Sequence, residues 1–378
     1  MKRRVLIIAQ VEYEDQSSGV TKKVLSQKEA MNSFADEVHC LCYYHGHPAL
    51  VRSSKEIEEL SVKISQLRRV TFWHHIKSII SVLTYDIIYI RYSYIDLFAL
   101  KALKWLKQKH SRIVLEIPTY PLVNEKLSGT ERMLYLSEKI FGRNVGKYID
   151  RILYIGDKTE QIWGKSAIQI PNGLPYGSQI IEKTGFNYDN KTIRIIAVSI
   201  MAYSHGYDRL IKALCKYKKN KEEHMPQIEL YLVGDGEYKE EYEKIAKECG
   251  VMDLVFFPGF LSGKGLTEMY RRATVGAGCF GLFRNGHNES STLKIKEYLL
   301  RGLPYINASK EIGIPEDFEY HLTFSNDDCE IDLKKVVEFV EKMKLIGKQD
   351  IIHGMNMFAE TNLSWEKIFR ESIYDLFK

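Results

Sequence analysis

The sequence predicts an α/β protein built from two Rossmann-like domains that face each other across a cleft. Three observations carry this. Short apolar, β-branched runs alternate with longer helical patterns, which is the mark of parallel sheets covered on both faces. The alternation stops in a polar stretch and restarts near residue 191. The length of 378 residues suits two domains rather than one.

Taken in order, the expected strands of the first half are VLIIAQ (5–10), EVHCLC (37–42), DIIYIR (86–91), RIVLEI (112–117), RILYIG (151–156) and AIQI (167–170). Those of the second half are IRIIAVS (193–199), IELYLVG (228–234), LVFFPG (254–259), TVGAGC (274–279) and LPYINA (303–308). Between the halves, PNGLPYGSQ and EKTGFNYDNK hold turn formers and polar residues, which puts a boundary around 171–191. The expected domains are residues 1–175 and 190–362. A final helix over 363–378 follows, in which Trp365, Ile368, Phe369, Ile373 and Phe377 fall at helical spacing. It is expected to pack on the first domain.

Composition narrows the class. Hydrophobic residues at 45% and charged residues at 27% are ordinary for a soluble globular chain. No run of eighteen apolar residues suggests a transmembrane helix. The N-terminal MKRRVLIIAQVEYEDQ reads as a first strand, since its apolar run ends after about five residues in acidic ones. Six cysteines without a CxxC suit reduced thiols in the cytoplasm and argue against structural zinc. Residues 1–170 hold 26 Lys+Arg against 18 Asp+Glu, a charge of +8; the rest hold 28 against 31, or −3. A basic first half suits an anionic membrane surface or a phosphorylated acceptor. No dense Lys/Arg stripe points to nucleic acid.

In open parallel sheets, ligands bind beyond the carboxyl ends of the strands. The most informative segment there is HNESSTLKIKEYLLRGLPYINA (287–308). A helix is expected over 292–301, with Ser290 or Ser291 as N-cap, Gly302 as C-cap and Pro304 stopping it. Its first-turn amides form an anion site, and Lys294 adds a positive charge. Glu289 and Glu297 place a carboxylate at either side, which suits a ligand with hydroxyls at both ends and phosphates between.

The spacing Glu289-x7-Glu297, followed by Tyr298 and RGLPYI, resembles the E-x7-E signature of retaining glycosyltransferases of the B-type fold, the large bacterial group that builds capsule, O-antigen and related glycans. DQSSGVTK (15–22) resembles that family's glycine loop, and PNG (171–173) resembles its turn near the domain junction. AVSIMAYSHGYDRLIKAL (197–214) resembles the start of its donor domain, and LVGDGE (232–237) and FFPGF (256–260) follow in order. The resemblance implies a nucleotide-diphosphate sugar as donor substrate, no separate cofactor and no metal. It implies that Glu289 binds sugar hydroxyls and stabilises positive charge near the anomeric carbon, and that Glu297 accepts the ribose hydroxyls. The amides of Ser291, Thr292 and Leu293, next to Ser290, would hold the diphosphate, and Gly19 would approach the same phosphates. The loops with Gly234, Asp235 and Gly259 would face the nucleoside.

Two departures from the family stand out. Its Arg and Lys on the pyrophosphate are replaced by Ile200 or Met201 and by His205. Lys294 is the first substitute, His205 the second and Arg209 the third. The histidine after the fourth strand is also absent; there the chain reads Glu116-Ile-Pro118-Thr119-Tyr120, so Thr119 and Tyr120 supply acceptor-side hydroxyls, and Glu116 either faces the cleft or is a satisfied strand-end carboxylate. The expected function is transfer of a hexose-type sugar to a glycan acceptor linked to polyprenyl diphosphate, in cell-surface polysaccharide synthesis. The alternative is a non-catalytic nucleotide- or glycan-binding partner of a synthase. RRVTFWHHIKSIISVL (68–83) has one apolar face, flanking cations and Trp73; it reads either as a peripheral anchor on an anionic membrane or as a helix on the first sheet.

Overall fold

The computed structural model describes residues 2–15, 18–53, 55–59, 72, 73, 76, 84–93, 97–109, 111–121, 140–175, 177, 178 and 181–377. It divides into two compact units, Met1–Tyr176 with Ser364–Lys378, and Gly177–Leu363.

The first unit is built on a nine-stranded sheet. Its strands are β1 (Arg4–Glu12), β2 (Glu37–Tyr44), β3 (His47–Ser53), β4 (Glu56–Glu59), β5 (Ile87–Arg91), β6 (Arg112–Tyr120), β7 (Arg151–Gly156), β8 (Gln161–Ile162) and β9 (Lys165–Gln169), in the order β4-β3-β2-β1-β5-β6-β7-β9-β8. The six from β2 to β9 through β1, β5, β6 and β7 pair in parallel. These are the expected apolar runs, and all but β9, whose residues are at most partly buried, are buried on both faces as parallel strands are. The antiparallel additions β3, β4 and β8 lie at the sheet's edges and were not expected. Helix α1 (Gly19–Met31) follows β1, its first turn capped by Ser18, whose hydroxyl accepts from the Thr21 N–H. Helix α2 (Leu97–Gln108) buries Ala99, Ala102, Leu103 and Leu106 at helical spacing against the same core.

The second unit runs β10 (Thr192–Val198), α3 (Tyr207–Asn220), β11 (Gln227–Val233), α4 (Lys239–Glu248), β12 (Val255–Gly259), α5 (Gly263–Arg272), β13 (Val275–Ala277), β14 (Glu289–Ser290), α6 (Leu293–Arg301), β15 (Tyr305–Asn307), β16 (Lys310–Glu311), β17 (His321–Thr323), α7 (Leu333–Ile346) and α8 (Lys348–Asn362). Its main sheet has the order β12-β11-β10-β13-β15-β17, all parallel. Counted within the unit this is 3-2-1-4-5-6, the doubly wound order in which ligands bind at the carboxyl ends where the order reverses. The reversal lies between β10 and β13. Tyr298 of α6 seals the sheet beneath it; its buried hydroxyl donates within reach of the Ala277 carbonyl (3.1 Å) and the Ile196 carbonyl (3.3 Å).

After α8 the chain returns to the first unit as α9 (Trp365–Ser372). Ser364 caps it by accepting from the Lys367 N–H. Phe369 is fully buried and meets the Tyr89 ring edge-on at 5.5 Å. Arg151 grips Asp375 with two bonds of 2.7 and 2.8 Å. Trp365 covers Gly173 so closely that a Cβ there would stand 2.7 Å from the indole. The glycine of the PNG turn is thus accounted for by packing.

Candidate active site

At the reversal between β10 and β13, three segments of the second unit meet. The first is the loop after β10. Its Ser199 hydroxyl lies 3.0 Å from the hydroxyl of Tyr207, the first residue of α3. Gly234, after β11, has φ +132°, and a Cβ there would stand 2.0 Å from the Ser199 carbonyl. Only glycine lets the two loops pass this closely. The second segment follows β13, where the Cys279 thiol donates to the Ser204 carbonyl and the Phe280 N–H to the His205 carbonyl. The third is the start of α6.

The start of α6 is held by a buried ion pair. Lys296, fully buried, donates to Glu311 Oε1 and to Ser291 Oγ, both at 2.6 Å. Glu311 in turn accepts the Thr292 N–H at 2.7 Å. Burial pushes the Glu311 carboxyl up and the Lys296 ammonium down, and each is opposed by its partner's charge. Two expectations change as a result. Thr292, not Ser290 or Ser291, is the N-cap, because Lys296 occupies the Ser291 hydroxyl and Ser290 lies in β14. The Thr292 amide is also taken, so the amides open to an anion begin at Leu293, whose turn has no intrahelical acceptors. β14 pairs in parallel with β16, Glu289 opposite Lys310, and Lys310 Nζ lies 3.0 Å from Glu289 Oε1.

Lys294 projects from this first turn and donates to Tyr207 Oη at 2.8 Å. Burial lowers its ammonium pKa to about 8. A helix N-terminus with its amides open, plus one cation at the switch point of a doubly wound sheet, has the chemistry that suits a phosphate. Residues 179–319 match the family of glycosyl transferases group 1.

That match lies within the second unit. The fold of the whole chain is that of GT-B glycosyltransferases. The chain is similar to Anabaena HepE solved with UDP and glucose, at TM-score 0.61 and 13% identity over 98% of both chains. It is similar to the lipopolysaccharide outer core galactosyltransferase WaaB, at 0.58 and 15% over 99% of both. It is likewise similar to a trehalose-6-phosphate protein from E. coli bound with UDP-2-fluoro glucose, at 0.61 and 13% over 99% of both. At these identities the likeness is one of fold. No curated relative matches by sequence.

Within the second unit the other expected ligand residues are distributed unevenly. Glu297, one turn after Lys294, accepts from Arg301 Nε (3.1 Å) and from its terminal nitrogen (2.8 Å). Gly234 and Gly259 are joined by a backbone hydrogen bond of 2.8 Å, and Asp235 is exposed, its carboxylate accepting the Gly236 N–H. His205 does not supply a cation. Its Nδ1 accepts from the Ala202 N–H, and burial, aided by the Lys294 charge, pushes its pKa down to about 2. Arg209 is not available either. Its buried guanidinium donates to the carbonyls of Phe280 (2.6 Å), Cys329 (2.7 Å) and Ser325 (3.3 Å), where it braces two loops. Of the three substitutes for the family's Arg/Lys pair, Lys294 alone is a cation placed at the helix start. Ser199 and Tyr207 were not expected; the only sequence signal is their place in the loop after the first strand of the domain.

In the first unit, Gly19 opens α1 and is exposed at its N-terminus; residues 16 and 17 of the same loop lie outside the described residues. β6 runs on through Thr119 and Tyr120, so Glu116 sits inside a strand and not in a loop. Thr119 is exposed, and Tyr120 packs against Tyr154. The Glu116 carboxylate is fully buried, accepting from Tyr89 Oη and Gln27 Nε2 at 2.6 Å and paired with Lys23 at 2.5 Å. Burial opposes its charge, but Lys23 and Arg91 outweigh that and hold its pKa below the ordinary value. It is a satisfied internal carboxylate. Of the segment 68–83, only Phe72, Trp73 and Ile76 are described; all three are buried in the first unit's core. Trp73 is therefore a core residue and not an interfacial anchor, and Arg68, Arg69, His75, Lys77, Ile79, Ile80 and Leu83 lie outside the described residues. Among the described residues no helix is long and apolar enough to cross a membrane, and no three His, Cys, Asp or Glu side chains form a metal-ligand group.

Proposed function

We propose that the protein is a retaining, metal-independent glycosyltransferase that moves a hexose-type sugar from a nucleoside diphosphate onto a glycan acceptor. The observation that carries this is the meeting of Lys294 with the open first turn of α6 at the switch point of the transferase domain. The acceptor oxygen attacks the anomeric carbon, and the bond from that carbon to the phosphate oxygen breaks. The diphosphate leaves with the electron pair and takes the acceptor's proton. Lys294 and the helix amides stabilise the developing anion, the task a divalent cation performs elsewhere. Glu289 lies at the sugar end and Glu297 at the ribose end. Retention follows the E-x7-E resemblance. The availability of a single cation, with His205 neutral and Arg209 spent, favours a second reading as a nucleotide-binding partner without turnover. Calorimetry with UDP and GDP tests the site: one of them binds and raises the apparent stability. Release of the diphosphate from the matching nucleotide sugar, undiminished by EDTA, tests the chemistry. An absolute requirement for Mg²⁺ or Mn²⁺ sinks the metal-free step, and binding without turnover favours the second reading.

The acceptor is assigned to the first unit and to a lipid-linked diphosphate. Its support is charge: residues 1–170 carry +8. On α2 and just beyond it Lys101, Lys104 and Lys109 are exposed, whereas Lys107 is bound to Asp150 at 2.6 Å. Each cation near an anionic surface contributes about 1 kcal/mol, within a screening length of about 8 Å at physiological salt. The protein is expected to float with phosphatidylglycerol vesicles at low salt and to be released by high salt. Lys101→Glu/Lys104→Glu/Lys109→Glu should abolish flotation. Indifference of the wild type to anionic vesicles makes the acceptor a soluble one.

A further inference from the structure

We propose that Ser199, Tyr207 and Lys294 form a directed hydrogen-bond chain that aims the Ser199 hydroxyl at the donor's phosphate as a ligand of the leaving group. The inference rests on the reading of Lys294 as the phosphate cation and adds two residues to it.

The direction of the chain follows from donor counting. An ammonium has only donors, and Lys294 spends one on Tyr207 Oη at 2.8 Å. The tyrosine ring is fully buried, and burial keeps its hydroxyl protonated by pushing its pKa well up. Its one O–H therefore points to the Ser199 oxygen, 3.0 Å away. The Ser199 O–H is then left to donate. Among the described residues that hydroxyl makes no other hydrogen bond, and the residue is half-exposed at the carboxyl end of β10, beside the switch point. His205 fixes the relay by stacking on Tyr207, with centroids 5.6 Å apart and planes 14° apart. The chain supplies a polarised donor where Ile200 or Met201 stands in place of a cation.

Deprotonating Lys294 reverses the chain. A neutral amine accepts from Tyr207, the tyrosine oxygen then accepts from Ser199, and the serine proton turns away from the ligand. The other titratable groups facing Lys294 leave this window clear. His205 stays neutral, burial pushes the Cys279 thiol up, and Glu311 has Lys296 as its own partner. With the Lys294 pKa at about 8 before ligand binds, diphosphate affinity is strongest below pH 8 and falls as pH rises above it.

The experiment is calorimetric titration of the intact chain with whichever of UDP and GDP binds, and with the bare nucleoside, from pH 7 to 9.5. Lys294→Ala should weaken the diphosphate and spare the nucleoside. At pH 7 Ser199→Ala should weaken the diphosphate about tenfold, the size of one hydrogen bond to a charged group. Bound diphosphate favours the charged ammonium, so the deficit should persist above the ligand-free pKa of Lys294 but should vanish in the Lys294→Ala background, where nothing orients the chain. Tyr207→Phe should give the same deficit, and the double variant no more than either. A Ser199→Ala deficit that is absent, or that persists in full in the Lys294→Ala background, overturns the chain while leaving Lys294 in place. Unchanged diphosphate binding in Lys294→Ala overturns the reading of the site itself, as does failure of the wild type to bind either nucleotide. The tyrosine variant alone is exposed to misfolding; the serine variant, at a half-exposed position, decides the matter.

Discussion

Replacing Lys296 by alanine should destabilise the second unit more than any exposed change in it. The ammonium is fully buried and bonds Glu311 and Ser291 at 2.6 Å. Its removal leaves the Glu311 carboxylate in the interior with only the Thr292 amide and hydroxyl hydrogen-bonded to it among the described residues. Breaking a buried pair from one side costs about 3–5 kcal/mol, because the orphaned charge keeps its desolvation penalty. For a unit of this size that corresponds to roughly 6–20 °C in melting temperature. Lys296→Met/Glu311→Leu should recover much of the loss, since apolar replacement of both partners removes the orphan. The double variant should nevertheless bind the diphosphate poorly, because Thr292 and Ser291 are no longer fixed and the α6 first turn is free to fray. Differential scanning calorimetry of the three proteins decides it. A Lys296→Ala melting temperature within 2 °C of wild type, on the order of half a kcal/mol, contradicts a clamped, charged pair.

That pair also marks where the sequence stops being legible. The parallel strands were readable because a strand buried on both faces must be a continuous apolar run, as VLIIAQ and IRIIAVS are. The edge strands β3 and β4 were not, because HPALVRS opens on His-Pro and EIEE is mostly charge. The two-residue ribbon of β14 and β16 is too short to leave any period. In LKIKEYLL the residue at 296 is one of three charges and nothing local marks it as the buried one; its partner lies fifteen positions on, after the helix, its cap and β15. No local pattern announces such a pairing. Without it the N-cap falls naturally to Ser290 or Ser291, whereas the ion pair shifts it to Thr292. For Trp73 the chain leaves an anchor and a core helix both open, and burial decides it: the residue is 5% exposed within the core. The spacing of Glu289 and Glu297 was visible from the chain. The neutrality of His205 and the commitment of Arg209 were not, since both depend on carbonyls and burial supplied by distant segments.

On the proposed assignment, Glu289 and Glu297 should separate under mutation. Glu289 lies in β14, whose backbone ladder to β16 does not depend on its side chain; its carboxylate lies against Lys310 at 3.0 Å at a partly exposed position. Glu289→Ala should therefore fold normally and hold the nucleoside diphosphate as wild type does. Turnover should fall on the order of 100-fold or more, the scale on which one preorganised electrostatic group at a reacting centre acts. Glu297 lies within α6, one turn from Lys294, and shares its charge with Arg301. Glu297→Ala should weaken the diphosphate by about 1.5–3 kcal/mol, because ribose hydroxyls lose a charged acceptor. Its partner Arg301 is buried, so Glu297→Ala also lowers fold stability, and the melting temperature read beside the titrations separates the two effects. The bare nucleoside should suffer as much as the diphosphate, since both present the ribose. Lys294→Ala differs here, sparing the nucleoside. Titration of UDP or GDP and of the nucleoside, beside initial rates with the nucleotide sugar, gives each glutamate its own signature. Equal loss of binding in the two variants would place both carboxylates on the nucleotide and remove Glu289 from the sugar.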